Sequence, residues 1–183
     1  MAHSPRNRVG GIPIYPDMQG KVALVTGGSS GIGLATAGAF ARQGVKVVIA
    51  SRREATAKTA LKQLSTLGDV QWLSVDAADG KSVARLMDGI MNTHGHLDYA
   101  FNNGGSGGRL APVAKMREEA WRKTIDGYLT SVFLCMNAEN SGNEGAEHIR
   151  DSQQRFGRWN ARLSLCRRRG LLGSKAWGDR SHS

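Results

Sequence analysis

The sequence predicts an α/β fold with a doubly wound parallel sheet, and three observations predict it. Short apolar runs alternate with segments of helical period, the connections between them are short, and a glycine cluster follows the first run. Alternation of this kind implies a parallel sheet covered on both faces by helices, with right-handed crossovers. The pattern holds only to about Met136, so the expected sheet stops after its fourth strand and the helix that follows.

Lys21 to Thr26 (KVALVT) reads as a buried strand, and Ile32 to Gln43 as a helix stopped by Gly44. Val45 to Ala50 (VKVVIA) is a second buried strand, followed by a helix through REATAKTALKQLSTLG. VQWLSVD and SVARLMDGIMNTHG form the third strand and helix, and Leu97 to Asn103 the fourth strand. Met116 to Met136 reads as one long amphipathic helix. The expected strand order is 3-2-1-4, with the fourth strand lacking its neighbour and exposing an edge. Residues 1–18 read as a flexible arm rich in Gly and Pro, and 19–136 as the cofactor-type domain. Residues 137–183 read as an irregular basic tail with no defensible period.

The sharpest motif is Thr26 to Gly33, TGGSSGIG, where the first strand gives way to a helix. A dinucleotide pyrophosphate needs backbone N–H groups, the positive end of a helix dipole and a close main chain, which glycine permits. Gly27, Gly31 and Gly33 supply that approach in a Gly-x-x-x-Gly-x-Gly spacing. The plainer reading is a tight strand–helix turn with no ligand; the strand before and helix after favour the cradle.

With these residues the chain resembles the short-chain dehydrogenase/reductase family from about Gln19 to Met136, including the family's Rossmann-like fold. The cofactor loop is matched by Thr26, Gly27, Ser29, Ser30, Gly31, Ile32 and Gly33. Asn102 to Gly105 (NNGG) match the segment after the fourth strand, with Gly104 where the family has Ala. The resemblance implies that Asp76 and Ala77 meet the adenine ring and that Asn103, Gly104 and Gly105 line the cofactor site. It also implies a nicotinamide dinucleotide as partner and alcohol oxidation or carbonyl reduction as the activity. A small alcohol or carbonyl substrate is expected only of an intact relative.

Cofactor choice is read at the end of the second strand. A carboxylate there would favour NAD, but the chain has Ser51, Arg52 and Arg53, two guanidinium groups suited to a 2′-phosphate. NADP(H) is therefore favoured over NAD(H). The competing reading is that both arginines simply begin a surface helix.

The family's proton relay resembles a Tyr hydroxyl assisted by a Lys four residues later, with a Ser and a helix Asn. Here the tyrosines are Tyr15, Tyr99 and Tyr128, followed four residues on by Gln19, Asn103 and Val132. The helix Asn falls at Tyr128. No Tyr-x-x-x-Lys exists, and no catalytic residue is assigned. His3, His94, His96, His148 and His182 form no ligand spacing, so no metal site is expected.

A shift of reading frame between about Met136 and Ile149 accounts for the change of texture. Read one base later, the possible codons of GLLGSKAWG (Gly170 to Gly178) can give Ala-Tyr-Leu-Ala-Ala-Lys-x-Gly, which contains the missing pair. RDSQQRFGRW can likewise give Ala-Thr-Ala-Asn-Ser-Ala-Ser-Val-Ala-Gly, similar to the family's fifth strand and catalytic Ser. The alternative is a natural, divergent tail. On this account the chain is a truncated enzyme, catalytically incomplete; the rival is a non-catalytic dinucleotide-binding remnant. The family's oligomer interface is then compromised, and low stability or aggregation follows.

Composition narrows the remaining classes. The formal net charge is +10, from 25 Lys and Arg against 15 Asp and Glu, yet the excess is scattered rather than gathered on one element. The cluster CRRRG near Cys166 suits phosphate contact, but out-of-frame reading of GC-rich DNA also yields Arg, so nucleic acid is disfavoured as a partner. No apolar run is long enough to span a membrane. Two cysteines, Cys135 and Cys166, in no metal-like spacing suggest a reducing, cytoplasmic setting.

Overall fold

The structure is a computed structural model and describes residues 7–9, 12–105, 111–142 and 162–164. Its central sheet contains β3 (Val22–Thr26), β4 (Lys46–Ser51), β5 (Val70–Ser74), β6 (Tyr99–Asn102) and β7 (Arg162–Ser164) in the order β5-β4-β3-β6-β7. The first four strands are parallel, in the expected order, with Val22 opposite Lys46, Ala23 opposite Tyr99 and Val47 opposite Val70. Helices α1 (Gly31–Arg42), α2 (Glu54–Leu64) and α3 (Gly80–His94) fall where the periodicity places them.

Period-two alternation along each buried strand sends side chains to two separate cores. Ala23, Val25, Val47 and Ile49 pack with Ala37 and Ala41 of α1 and Ala60 and Leu64 of α2. On the opposite face Val22, Leu24, Val48 and Ala100 pack with Val83, Leu86, Met87 and Ile90 of α3 and with Cys135. The alanines of α1 carry little side chain, so this helix lies close to the sheet.

Four expectations are revised. The helix read over Met116–Met136 starts at Glu118 and runs without a gap, but it is not uniformly α: it comprises α4 (Glu118–Ile125), a π-helical turn at Asp126–Thr130 and α5 (Ser131–Gly142). Within the π-turn the Ser131 N–H reaches the carbonyl of Asp126, five residues back, and Ser131 Oγ donates to Gly127 O at 2.9 Å. Glycine at 127 and a hydroxyl competing for its carbonyl weaken the helical ladder at that point. Helix α5 also runs on past Met136, so the ordered pattern does not stop there.

The β6 edge has a neighbour: Arg162–Ser164 pairs antiparallel with it, Phe101 opposite Leu163. The arm at 1–18 contains two short antiparallel strands, β1 (Asn7–Val9) and β2 (Ile12–Ile14). Gln43 ties the end of that hairpin to the domain, donating from Nε2 to Pro13 O at 2.8 Å and accepting from Tyr15 N at 2.9 Å. The remainder of the expected irregular tail, with Cys166, His148, His182 and the CRRRG cluster, lies outside the described residues, as does His3.

Candidate functional site

The carboxyl ends of the parallel strands, with the helix over them, enclose a cleft of about 830 Å³. In an open α/β sheet this is where ligands bind, beside the point at which strand order reverses. Here that point lies between β3 and β6.

The turn after β3 forms the floor. Gly27 has φ of 69°, and a Cβ there would lie 3.0 Å from Asn103 Nδ2 and 3.1 Å from Gly104 Cα. A Cβ on Gly33 would run into the carbonyl oxygen of Gly27. Glycine at both positions lets the turn fold flat against the start of α1. Thr26 is buried and fastens the floor to the β6 side: its Oγ1 accepts from Asn103 N at 3.1 Å and Gly104 N at 3.0 Å. A Cβ on Gly104 would stand 3.2 Å from that Thr26 oxygen.

Of the residues predicted to hold a cofactor, Thr26, Gly27, Ser29, Ser30, Ser51, Arg52, Arg53, Asp76, Ala77, Asn103, Gly104 and Gly105 all line this one cleft. Gly31, Ile32 and Gly33 do not face it. Gly31 begins α1 with φ of 55°, Ile32 is exposed, and Gly33 serves the strand–helix contact. Arg52 and Arg53 make no ion pair with carboxylates among the described residues, so their guanidinium groups are available to an anion. The Asp76 carboxylate accepts from Ala78 N at 3.1 Å, which fixes the turn after β5.

The opposite wall was not anticipated from sequence. Glu118, Glu119, Arg122, Lys123 and Asp126 face the cleft from α4 and the π-turn, with Gly127 and Ser131 behind them. Arg122 is engaged with Glu118 at 2.6 Å. Spacings of three and four residues along a helix mark a common face, so a stripe at 119, 122, 123 and 126 was a detectable signal; it reads like any solvated face until the sheet is placed opposite.

The tyrosines are dispersed. Tyr99 stacks on Phe40 with ring centroids 5.7 Å apart, and burial together with Asp98 raises its phenol pKa. Tyr128 packs its ring over Gly105 at the β6 end of the cleft, and Tyr15 belongs to the end of the N-terminal hairpin. His94 meets Gln71 of β5 at 2.6 Å, and His96 meets Asp98, just before β6, at 3.1 Å; neither histidine lines the cleft. Among the described residues no group of His, Cys, Asp and Glu is arranged to hold a metal ion.

A doubly wound sheet with a glycine turn opening its first helix and a cleft across the strand ends defines a nucleotide-binding class of α/β proteins. The family model described as short chain dehydrogenase matches residues 21–141, and the chain belongs to that family of oxidoreductases. Its relatives include the short chain dehydrogenase/reductase astE of Aspergillus oryzae, 35% identical over 67% of this chain and 48% of that protein. Among solved structures, a short chain dehydrogenase from Mycobacterium smegmatis superposes with a TM-score of 0.70 at 32% identity, covering 75% of this chain and 58% of that one. An actinorhodin polyketide ketoreductase solved with NADPH superposes at 0.65 and 29% identity, covering 71% and 49%. The chain spans about half the length of the curated relatives it matches. The family binds a nicotinamide dinucleotide. Among the described residues no helix is long and apolar enough to cross a membrane.

Proposed function

We propose that this chain binds a nicotinamide dinucleotide, NADP(H) in preference to NAD(H), and does not carry out hydride transfer by itself. The observation that carries this reading is the single cleft in which the Gly27 turn, Arg52 with Arg53, and Asn103 to Gly105 meet. The residues fit such a group. The Gly27 turn lines the cleft with backbone that carries no side chain, which suits a pyrophosphate, while Arg52 and Arg53, in no ion pair among the described residues, suit a 2′-phosphate. When bound, the nicotinamide would supply hydride chemistry; this chain's own residues would bind and orient it.

The sequence supports the second half of the reading. It holds no Tyr-x-x-x-Lys to handle the substrate proton, and Tyr128 occupies the place of the helix Asn. A shift of frame remains our account of that loss. Family similarity through residue 141 and the burial of Glu139 support placing it after α5, between about 142 and 149. The coding DNA decides this: a plus-one frame without the Tyr–Lys segment would refute it.

Calorimetric titration of the full chain with NADPH and NADH tests the binding. The double substitution Arg52→Ala, Arg53→Ala is expected to weaken NADPH about 10- to 100-fold, in line with loss of charge-assisted contacts, and to leave NADH nearly unchanged. Absence of binding by both dinucleotides at millimolar level defeats the proposal. Turnover of a carbonyl panel by the purified chain would defeat its second half.

A further inference from the structure

Trp72 lies on β5, the outermost parallel strand, and packs against the core that the sheet shares with α1 and α2. The register sets Ile49 opposite Trp72 and Ser51 opposite Ser74. Alternation along β4 puts Ser51 on the same face as Ile49, so the Trp72 indole and the Ser51 side chain share one face of the sheet. The indole spans the diagonal between them, and Trp72 Nε1 donates to Ser51 Oγ at 3.1 Å. A partly buried indole N–H takes an oxygen wherever it packs. The choice of Ser51 has a consequence because Ser51 also lines the cleft, beside Arg52 and Arg53.

The chemistry of the two groups fixes a direction. An indole N–H only donates, whereas a hydroxyl has one O–H to give and two lone pairs that receive. Ser51 Oγ is therefore held as the acceptor, and its own proton turns elsewhere. Among the described residues that O–H meets no acceptor. The Ser51 carbonyl is engaged by Val75 N at 3.2 Å, which ties the end of β4 to β5. The segment Ser51 to Arg53 thus presents one hydroxyl and two guanidinium groups, with no carboxylate among its own residues.

We propose that Trp72 is a positioning residue for phosphate recognition: its indole N–H holds the Ser51 hydroxyl with its proton toward the cleft, where it donates to a phosphate monoester on the adenosine ribose. The inference deepens the dinucleotide reading and rests on it. A ribose hydroxyl both gives and takes hydrogen bonds, so a fixed donor gains little from it. A phosphate dianion only accepts, and a donor aimed at it makes a charge-assisted bond, roughly twice as strong as a neutral one. Trp72 does not itself line the cleft. It acts through Ser51, and its effect falls on the one group by which NADPH and NADH differ.

The test titrates NADPH and NADH calorimetrically into the full chain, Trp72→Phe, Ser51→Ala and the double variant, at about pH 8, where the phosphate is a dianion. Phenylalanine keeps an aromatic ring against the core and removes the N–H. Trp72→Phe is expected to weaken NADPH about fivefold with NADH held within about twofold, and Ser51→Ala to weaken NADPH about tenfold. In the Ser51→Ala background the indole has nothing left to position, so Trp72→Phe brings no further loss of NADPH; a residue acting independently would add its full effect. Equal losses of NADPH and NADH in Trp72→Phe, no loss of either, or an additive double variant overturn the inference while leaving dinucleotide binding intact. If the parent chain binds neither dinucleotide, the cofactor reading falls and the inference falls with it.

The indole N–H resonance of Trp72 in the parent chain supplies an independent readout, and it decides the matter if Trp72→Phe does not fold. Adenosine 2′,5′-bisphosphate and adenosine 5′-monophosphate present the two ribose states without the nicotinamide half. A Trp72 resonance that moves on titration with the bisphosphate and stays fixed with the monophosphate supports the inference. A resonance that responds alike to both, or to neither, overturns it.

Discussion

At the scale of single residues, the close contacts of the Gly27–Gly33 turn set the sharpest expectations. Gly33→Ala forces a methyl group into the Gly27 carbonyl, a backbone atom with little freedom to move. Overpacking of this kind costs about 1–3 kcal/mol, measurable as a lower urea midpoint at unchanged slope. Glu139 sets a second. Burial raises its carboxyl pKa from the usual value near 4.5 to about 7, against the opposing effect of a hydrogen bond donated by Asn102 Nδ2 at 3.2 Å, so its contribution to stability is fully present below about 4.5 and is lost as pH rises through about 7. The full change is on the order of 3 kcal/mol. Urea unfolding at pH 5 and pH 8 is expected to show it in the parent chain, with a flatter profile in Glu139→Gln. The glycine turn was legible in the sequence because its spacing follows a strand. The Glu139–Asn102 pair was not, because a lone Glu late in a helix carries no mark of the core it enters.

At the scale of elements, helix α3 shows how boundaries are written. Asp79 caps its start, Oδ1 accepting from Lys81 N at 3.1 Å, and Gly95 with φ of 76° closes its end. Asp79→Ala is expected to cost about 1 kcal/mol in thermal or urea unfolding, without affecting the floor of the cleft. Such caps, with the apolar strands between them, made four strands and three helices readable in order. The π-turn between α4 and α5 was not, because it adds one residue while leaving the apolar spacing on either side helical. The cleft-facing stripe of α4 was missed for a related reason: charged residues at helical spacing describe water and a ligand cleft equally well.

At the scale of the whole molecule, the helical segment from α4 through α5 leaves large apolar groups in solvent. Trp121, Leu129 and Phe133 are each more than half exposed, at 56%, 58% and 64%. Soluble monomers seldom expose several such groups together, and the expected consequence is self-association. The pair Leu129→Ser, Phe133→Ser should lower the apparent mass in light scattering at high protein concentration, with the unfolding free energy changed by no more than about 0.5 kcal/mol per substitution. Equal association by both proteins would place the sticky surface elsewhere.

The antiparallel segment at the sheet border has a consequence of its own. It is joined to β6 by three residues, whereas β3 and β4 share five. So short a seam is easily unzipped, and whatever displaces it finds a ready ladder of main-chain groups. A longer parallel strand arriving from another polypeptide would compete for the same berth on better terms. The protein thus carries a doorway in its sheet that its own residues only just close.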